Sequence, residues 1–106
     1  MTLQASGPLT VGSLNPLVLT NAPPDARMFV WMSLSSTPVN ILGGTIHANP
    51  FSNQRGMIAD PTGRYEEAAP WPSLPPGTDV WWQFLVEDLS VPEGITLSNA
   101  VRSTTP

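Results

Sequence analysis

One histidine and eight acidic residues are the side chains of this sequence that could serve in proton transfer or metal binding. His47 can be combined on paper with several serines into a Ser-His-Asp arrangement, but the sequence has no Gly-x-Ser-x-Gly turn to expose a nucleophile. The acids stand singly or as adjacent pairs, such as Glu66-Glu67 and Glu87-Asp88. Adjacent strand residues point to opposite faces, so these pairs do not form one site. We expect a protein that is not an enzyme and needs no cofactor.

Metal binding would need a cluster of ligands that the spacing of the acids does not supply. No calcium-loop pattern occurs. Cysteine is absent, which excludes thiolate metal sites, disulfides and a cysteine nucleophile. We therefore predict no metal site. A calcium ion bound in a loop near Asp60 or Asp88 stays open as an alternative, although acids at turns and strand ends are the commoner explanation.

The aromatic residues pose a sharper question, because the chain has four tryptophans in 106 residues. The stretch Asp79–Glu87 alternates as a β-strand does. One face is wholly apolar and needs a core: Val80, Trp82, Phe84 and Val86. The opposite face is half apolar and also needs cover: Trp81, Gln83, Leu85 and Glu87.

The segment Ala26–Leu34 is predicted to be a second strand of the same kind. Its apolar face is formed by Ala26, Met28, Val30, Met32 and Leu34, and Phe29 and Trp31 lie on the other face. If the two strands are neighbours, their second faces form one outward aromatic patch. We assign the partner or ligand surface to Phe29, Trp31, Trp71, Trp81 and Leu85.

Three interpretations of this patch stay open. The chain's own proline-rich loops, such as Pro70-Trp71-Pro72, cover it, since tryptophan is usually well buried. Another copy or domain covers it, since large exposed apolar patches and aromatic residues mark interfaces. It is a flat aromatic platform for a sugar ring, with Gln83 and Arg27 as polar groups.

The fold class predicted from the sequence is all-β: an antiparallel, Ig-like β-sandwich of seven or eight strands. No segment has a convincing helical apolar period, and 13 prolines interrupt most long windows. Short alternating runs bounded by Pro, Gly, Asn and Asp are typical of a sandwich. The predicted strands are Leu9–Leu14, Pro16–Asn21, Ala26–Leu34, Thr45–Ala48, Gly56–Asp60, Arg64–Ala69, Asp79–Asp88 and Ile95–Ser103.

The chain length allows one domain, which we place at residues 8–106. Residues 1–7 are predicted to be a short arm, with Leu3 and Ala5 on one side, joined to the body at Gly7-Pro8. Such an arm could pair with an edge strand of a neighbouring copy, whereas a frayed tail is the simpler interpretation.

Charge is sparse: 11% of residues are charged, there is no lysine, and the net charge is −4. The four arginines are scattered, so we expect no nucleic-acid partner. No apolar stretch is long enough to span a bilayer. The N-terminus has neither a basic nor an apolar signal-peptide region. The chain is therefore either intracellular or a mature or excised domain, and we favour the second.

Five spaced elements carry a resemblance to a known type of module. They are Asn21-Ala22-Pro23-Pro24, Gly43-Gly44, Ala59-Asp60-Pro61-Thr62-Gly63, Val80–Asp88 with Gln83 at its centre, and Leu97-Ser98-Asn99-Ala100. In this order they resemble the β-sandwich repeats or C-terminal modules of large secreted proteins of planctomycetes and myxobacteria. The resemblance implies an extracellular β-sandwich and no known reaction.

We therefore expect an extracellular or cell-surface structural module that packs against copies of itself or adjacent domains, as in a filament or surface layer. The alternative is a carbohydrate-binding module that uses Trp31 and Trp81 as its platform.

Overall fold

The computed structural model describes residues 1–7, 9–10, 12–41, 44–49, 53–70 and 73–106. Within this part of the chain there are ten strands and no helix. The strands are β1 (Thr2–Ala5), β2 (Leu14–Thr20), β3 (Arg27–Ser33), β4 (Val39–Ile41), β5 (Gly44–Ile46), β6 (Asn53–Ile58), β7 (Tyr65–Pro70), β8 (Asp79–Glu87), β9 (Ile95–Leu97) and β10 (Val101–Thr104). All described pairings are antiparallel, which confirms the all-β antiparallel prediction.

The strands form two main sheets and one hairpin. The smaller sheet has the order β1-β2-β7, and the larger sheet has the order β10-β8-β3-β6, with β9 also paired to β8. Strands β4 and β5 pair only with each other among the described residues. Side chains from both main sheets meet in one core, where the Tyr65 and Phe84 ring centroids are 6.0 Å apart. The two sheets therefore pack face to face as a β-sandwich.

The core follows from the period-two alternation of the central strands. In β8, Val80, Phe84 and Val86 are buried, as predicted for that face, and Trp82 is partly buried against the core. On the neighbouring strand β3 of the same sheet, the buried Met28 lies beside Val86 and the buried Val30 lies beside Phe84. The opposite sheet contributes Leu3 and Leu19, which are 2% and 0% exposed. Burial of each such side chain contributes about 2 kcal/mol relative to exposure.

The N-terminal region differs from the prediction. Residues 1–7 were predicted to be a separate arm, but Thr2–Ala5 pairs with β2 as an edge strand of the sandwich. Leu3 belongs to this chain's own core, while Ala5 is only partly buried. The described residues of the predicted strand Leu9–Leu14 lie outside any strand until Leu14, where β2 begins. The prediction missed the short pattern of β1 because a single buried leucine gives no visible period.

The predicted last strand, Ile95–Ser103, is also wrong as one element. Leu97 lies opposite Leu85, and Val101 lies opposite Trp82, so one extra residue is inserted between β9 and β10. Such a bulge turns the following residues to the other face. The Ser98 hydroxyl accepts a hydrogen bond from the Phe84 N–H at 2.9 Å, and the Ser98 N–H donates to the Phe84 carbonyl at 3.0 Å. The shared face predicted for Ile95, Leu97, Asn99 and Val101 is therefore not formed.

The turn between β6 and β7 joins the two sheets. The Asp60 carboxylate accepts hydrogen bonds from the N–H groups of Thr62 and Arg64. Gly63 has φ = +77°, and its carbonyl accepts a hydrogen bond from the Ala22 N–H at 3.0 Å. A Cβ atom at Gly63 would lie 1.9 Å from the Ala22 carbonyl oxygen. Only glycine fits this contact.

Gly63→Ala is expected to lower the free energy of unfolding by at least about 3 kcal/mol, because strain and a backbone clash add. Gly77→Ala is the matched control. Gly77 has φ = +79° and open space around its missing Cβ, so its cost is expected to be the left-handed strain alone, about 1 kcal/mol. Urea unfolding measures both. Equal losses for the two variants would show that the Ala22 contact is not close-packed.

Candidate partner surface

The outward face of the larger sheet holds most of the predicted surface residues. Pairing of β3 with β8 places Phe29 opposite Leu85, Trp31 opposite Gln83, and Ser33 opposite Trp81. Residues paired in this way point to the same side of a sheet. Phe29, Trp31, Trp81 and Leu85 therefore share one face, which we call the outer face. Trp71 lies outside the described residues.

Gln83 is the buried centre of the outer face, at 1% exposure. Its side-chain oxygen accepts a hydrogen bond from the His47 N–H at 2.8 Å. Its side-chain nitrogen donates to the carbonyl oxygens of Thr45 and Ser98, each at 2.9 Å. Both amide hydrogens and the oxygen have partners, so the burial of this polar group is compensated.

The cover over Gln83 is the β4–β5 hairpin and the segment that follows it. Ile46 and Ala48 are buried there, at 2% and 0% exposure. A Cβ atom at Gly44 would lie 3.1 Å from the Leu97 side chain, so this end of β5 lies close against β9. Residues 44–48 of the same chain therefore cover Gln83. The predicted Pro70-Trp71-Pro72 loop extends beyond the described residues.

The other half of the outer face is open in the single chain. Phe29 is 48% exposed on β3, and Ile58 is 64% exposed on the neighbouring strand β6. Gly56 lies opposite Phe29, and a Cβ atom there would contact the Phe29 ring at 3.5 Å. The aromatic ring thus shields a glycine in the neighbouring strand, a known way to stabilise such a site. An apolar surface remains around Phe29 and Ile58.

Trp31 and Trp81 are partly buried, and each is held by a polar neighbour. The Trp31 ring N–H donates a hydrogen bond to the Gln54 side-chain oxygen at 2.6 Å. The guanidinium carbon of Arg102 lies 5.7 Å from the Trp81 ring centroid, which is a cation–π contact. Gln54, Ile58 and Arg102 were not predicted on this face, because their place on it depends on which strands are neighbours.

Asp60 and Asp88 hold turns. The Asp88 carboxylate accepts hydrogen bonds from the Ser90 N–H, the Ser90 hydroxyl and the Thr96 hydroxyl. Hydrogen bonds from Ser90 lower the pKa of Asp88, and those from Thr62 and Arg64 lower the pKa of Asp60. Across the described residues, no three His, Asp or Glu side chains are grouped closely enough to hold a metal ion.

Glu67 joins the edges of the two sheets. Arg55 on β6 makes two hydrogen bonds to the Glu67 carboxylate on β7, one of them 2.8 Å long. The Tyr65 hydroxyl donates to the same carboxylate at 3.0 Å. Burial raises the pKa of Glu67, but the hydrogen bonds from Arg55 and Tyr65 outweigh it and hold the pKa below its usual value. With its oxygens engaged in this way, Glu67 acts as a structural link.

Comparison of the sequence with protein families and with curated proteins gave no match, and neither did comparison of the fold with solved structures. Within the described ranges, no helix has the length and apolarity required to cross a membrane.

Gln83→Leu is expected to lower the free energy of unfolding by about 3 kcal/mol, because three backbone groups lose their partners. Gln54→Leu is the matched control: it removes one hydrogen bond at an exposed site, and a loss of at most about 1 kcal/mol is expected. Hydrogen exchange of the His47 amide is expected to accelerate in Gln83→Leu only. An unchanged His47 exchange rate would contradict the role of Gln83 in holding the hairpin.

Acidification is expected to weaken the link at Glu67. The pKa of Glu67 in the folded protein lies below the usual value for a glutamate. The stabilisation is therefore fully present above that usual value and is lost as the pH falls through the folded-state pKa. Urea unfolding as a function of pH is expected to show a shallower acid dependence for Glu67→Gln than for the wild type. Tyr65→Phe, which removes one hydrogen bond to the carboxylate, is expected to give an intermediate slope. Identical slopes for all three proteins would contradict this account.

Proposed function

We propose that this chain is a non-enzymatic structural module, working outside the cell or at its surface, that packs against copies of itself or adjacent domains. The observation that carries the proposal is the open half of the outer face. Phe29 and Ile58 are 48% and 64% exposed on adjacent strands, on the same face of the larger sheet. Large apolar side chains exposed together on one face are typical of an interface.

The edge beside this surface supports the same proposal. Strand β6 pairs only with β3 among the described strands and ends the larger sheet. An edge strand presents unpaired backbone groups that a second chain can use. A partner bound at Phe29 and Ile58 would therefore reach both an apolar face and a sheet edge.

Composition supports packing of this kind. The 11% charged residues provide little like-charge repulsion between copies. Phe29 is an aromatic residue of the type enriched at the centre of interfaces, and Ile58 adds apolar area beside it. Arg27 and Gln54, both exposed on the same face, would form part of a polar rim.

The extracellular part of the proposal is supported by the resemblance to secreted modules. The elements that carry it have structural roles here: Gly63 contacts Ala22, Gln83 binds the β5 segment, and Asn99 binds β1. Such residues favour a shared fold over a shared activity.

Carbohydrate binding is the second candidate, and the Trp31–Gln54 pair favours it. The hydrogen bond fixes the orientation of the indole ring, and the Gln54 amide lies beside it as a polar group for a sugar hydroxyl. Under this candidate, Trp31→Ala would abolish retention on a polysaccharide column and leave the oligomeric state unchanged. Under the main proposal, the wild type passes the column unretained.

Phe29→Ser is expected to weaken self-association at least tenfold, about 1.4 kcal/mol, because it removes the apolar anchor of the open surface. Ile58→Ser is expected to act in the same direction. Leu89→Ser is the matched control, since Leu89 is 88% exposed but lies in the turn after β8, outside the paired strands that form the outer face. Sedimentation velocity over a concentration series measures the association.

The control and the wild type are expected to associate equally. A wild type that stays monomeric at the highest soluble concentration would contradict the proposal. Equal weakening by Leu89→Ser and Phe29→Ser would place the contact elsewhere.

A further inference from the structure

Strand β1 is the element of the sandwich that is most easily shared with a second molecule. It is an edge strand, and Leu3 is its one fully buried side chain. Met1 adds a partly buried contact with the core. Exchange of β1 would therefore move a short segment and leave the larger sheet intact.

The site that holds β1 recognises main chain more than side chain. On one side β1 pairs with β2, from Thr2 opposite Thr20 to Ala5 opposite Leu17. On the other side the Asn99 side chain accepts a hydrogen bond from the Leu3 N–H at 2.8 Å and donates one to the Leu3 carbonyl at 3.0 Å. The Asn99 side-chain amide thus makes with Leu3 the two backbone hydrogen bonds that a neighbouring strand would otherwise make. An identical strand from another copy would make every one of these contacts.

The connection from β1 to β2, residues 6–13, holds strained backbone in the closed chain. Leu9 has φ = +59°, a left-handed conformation that a leucine rarely adopts. Its N–H is held by the Asn15 side-chain oxygen at 3.0 Å. Gly7 has φ = +116°, and a Cβ atom there would lie 2.1 Å from the same oxygen. Gly7 and Leu9 therefore lie close against Asn15, and the left-handed conformation of Leu9 costs backbone energy.

If residues 6–13 were extended between two molecules, the strain at Leu9 would be relieved. Strained hinge loops favour exchange of the element that they connect. Fully extended, residues 6–13 would span roughly 26 Å, enough to carry β1 to an adjacent molecule.

We propose that β1 exchanges between copies: β1 of one chain pairs with β2 of a second copy, and its Leu3 fills that copy's core. The partner at this site is a second copy of the same chain. The inference rests on the proposed self-association and adds a mode of linkage to it. Reciprocal exchange gives a closed dimer, and one-way exchange along a series of copies gives an open chain.

Two single-cysteine variants test the exchange, since the natural sequence has no cysteine. Thr2 and Thr20 lie opposite each other on the outward side of β1 and β2. Antiparallel partners have Cα atoms within the range that a disulfide bridges. Thr2→Cys chains are mixed with isotope-labelled Thr20→Cys chains, incubated at high concentration and oxidised. A disulfide between the two kinds of chain forms efficiently only if β1 of one copy lies on β2 of the other.

The matched control replaces Thr20→Cys by Thr37→Cys, an exposed position between β3 and β4. Mass spectrometry under non-reducing conditions is expected to give at least a fivefold higher yield of mixed dimer for Thr2→Cys with Thr20→Cys than for the control. A yield no higher than the control overturns the exchange. This result is independent of Phe29→Ser, because the disulfide reports β1 alone and the sedimentation experiment reports the outer face.

Leu9 supplies a second test. In the Thr2→Cys and Thr20→Cys background, Leu9→Gly relieves the left-handed strain, and the yield of mixed dimer is expected to fall about fivefold. Leu9→Ala removes the same side chain but keeps the strain, so it is expected to retain the yield. Equal yields from the two variants would overturn the role of the hinge.

Discussion

The burial of Gln83 is the constraint on which the arrangement of this molecule depends. Strand β8 pairs with β3, β9 and β10, and its inner face fills the core. On its outer face Gln83 is buried, and its side-chain amide binds the His47 N–H and the carbonyl oxygens of Thr45 and Ser98. This contact fixes where the β4–β5 hairpin lies. It thereby decides which half of the outer face is covered and which half, around Phe29 and Ile58, stays open.

Polar side chains make the specific connections between elements, and apolar ones supply the general driving force. Asn99 joins β1 to the strand edge formed by β9 and β10, and Arg55 with Glu67 joins β6 to β7 on the other side of the sandwich. Ser98 holds the bulge that places Asn99 at β1. A buried apolar residue tolerates another of similar size. A side-chain amide with several backbone partners allows few replacements, because each lost partner costs free energy.

Much of the fold could be predicted from alternation along single strands. The inner faces of β3 and β8 were predicted correctly at Met28, Val30, Phe84 and Val86, because long strands with large apolar residues give a clear period of two. Leu34, predicted on the same face as Met28, lies beyond the end of β3 and is 52% exposed. Strand β1 was missed since Leu3 is its one buried side chain. The bulge at Ser98 was missed because an inserted residue changes the face without changing the composition. Which residues surround Phe29 depends on which strands are neighbours in the larger sheet, and the alternation along a single strand does not give that order. Ile58 and Gln54 were therefore absent from the predicted surface.

Residue-level hydroxyl-radical footprinting of the wild type at low and high concentration tests whether the half of the outer face around Phe29 and Ile58 binds a second copy. Phe29 and Ile58 are expected to react readily in dilute solution and to become protected as the concentration rises. Leu89 is expected to react equally at both concentrations, because it is 88% exposed and lies in the turn after β8, outside the paired strands of the outer face. Unchanged reactivity of Phe29 and Ile58 across the series would contradict the claim that this half of the outer face binds a second copy.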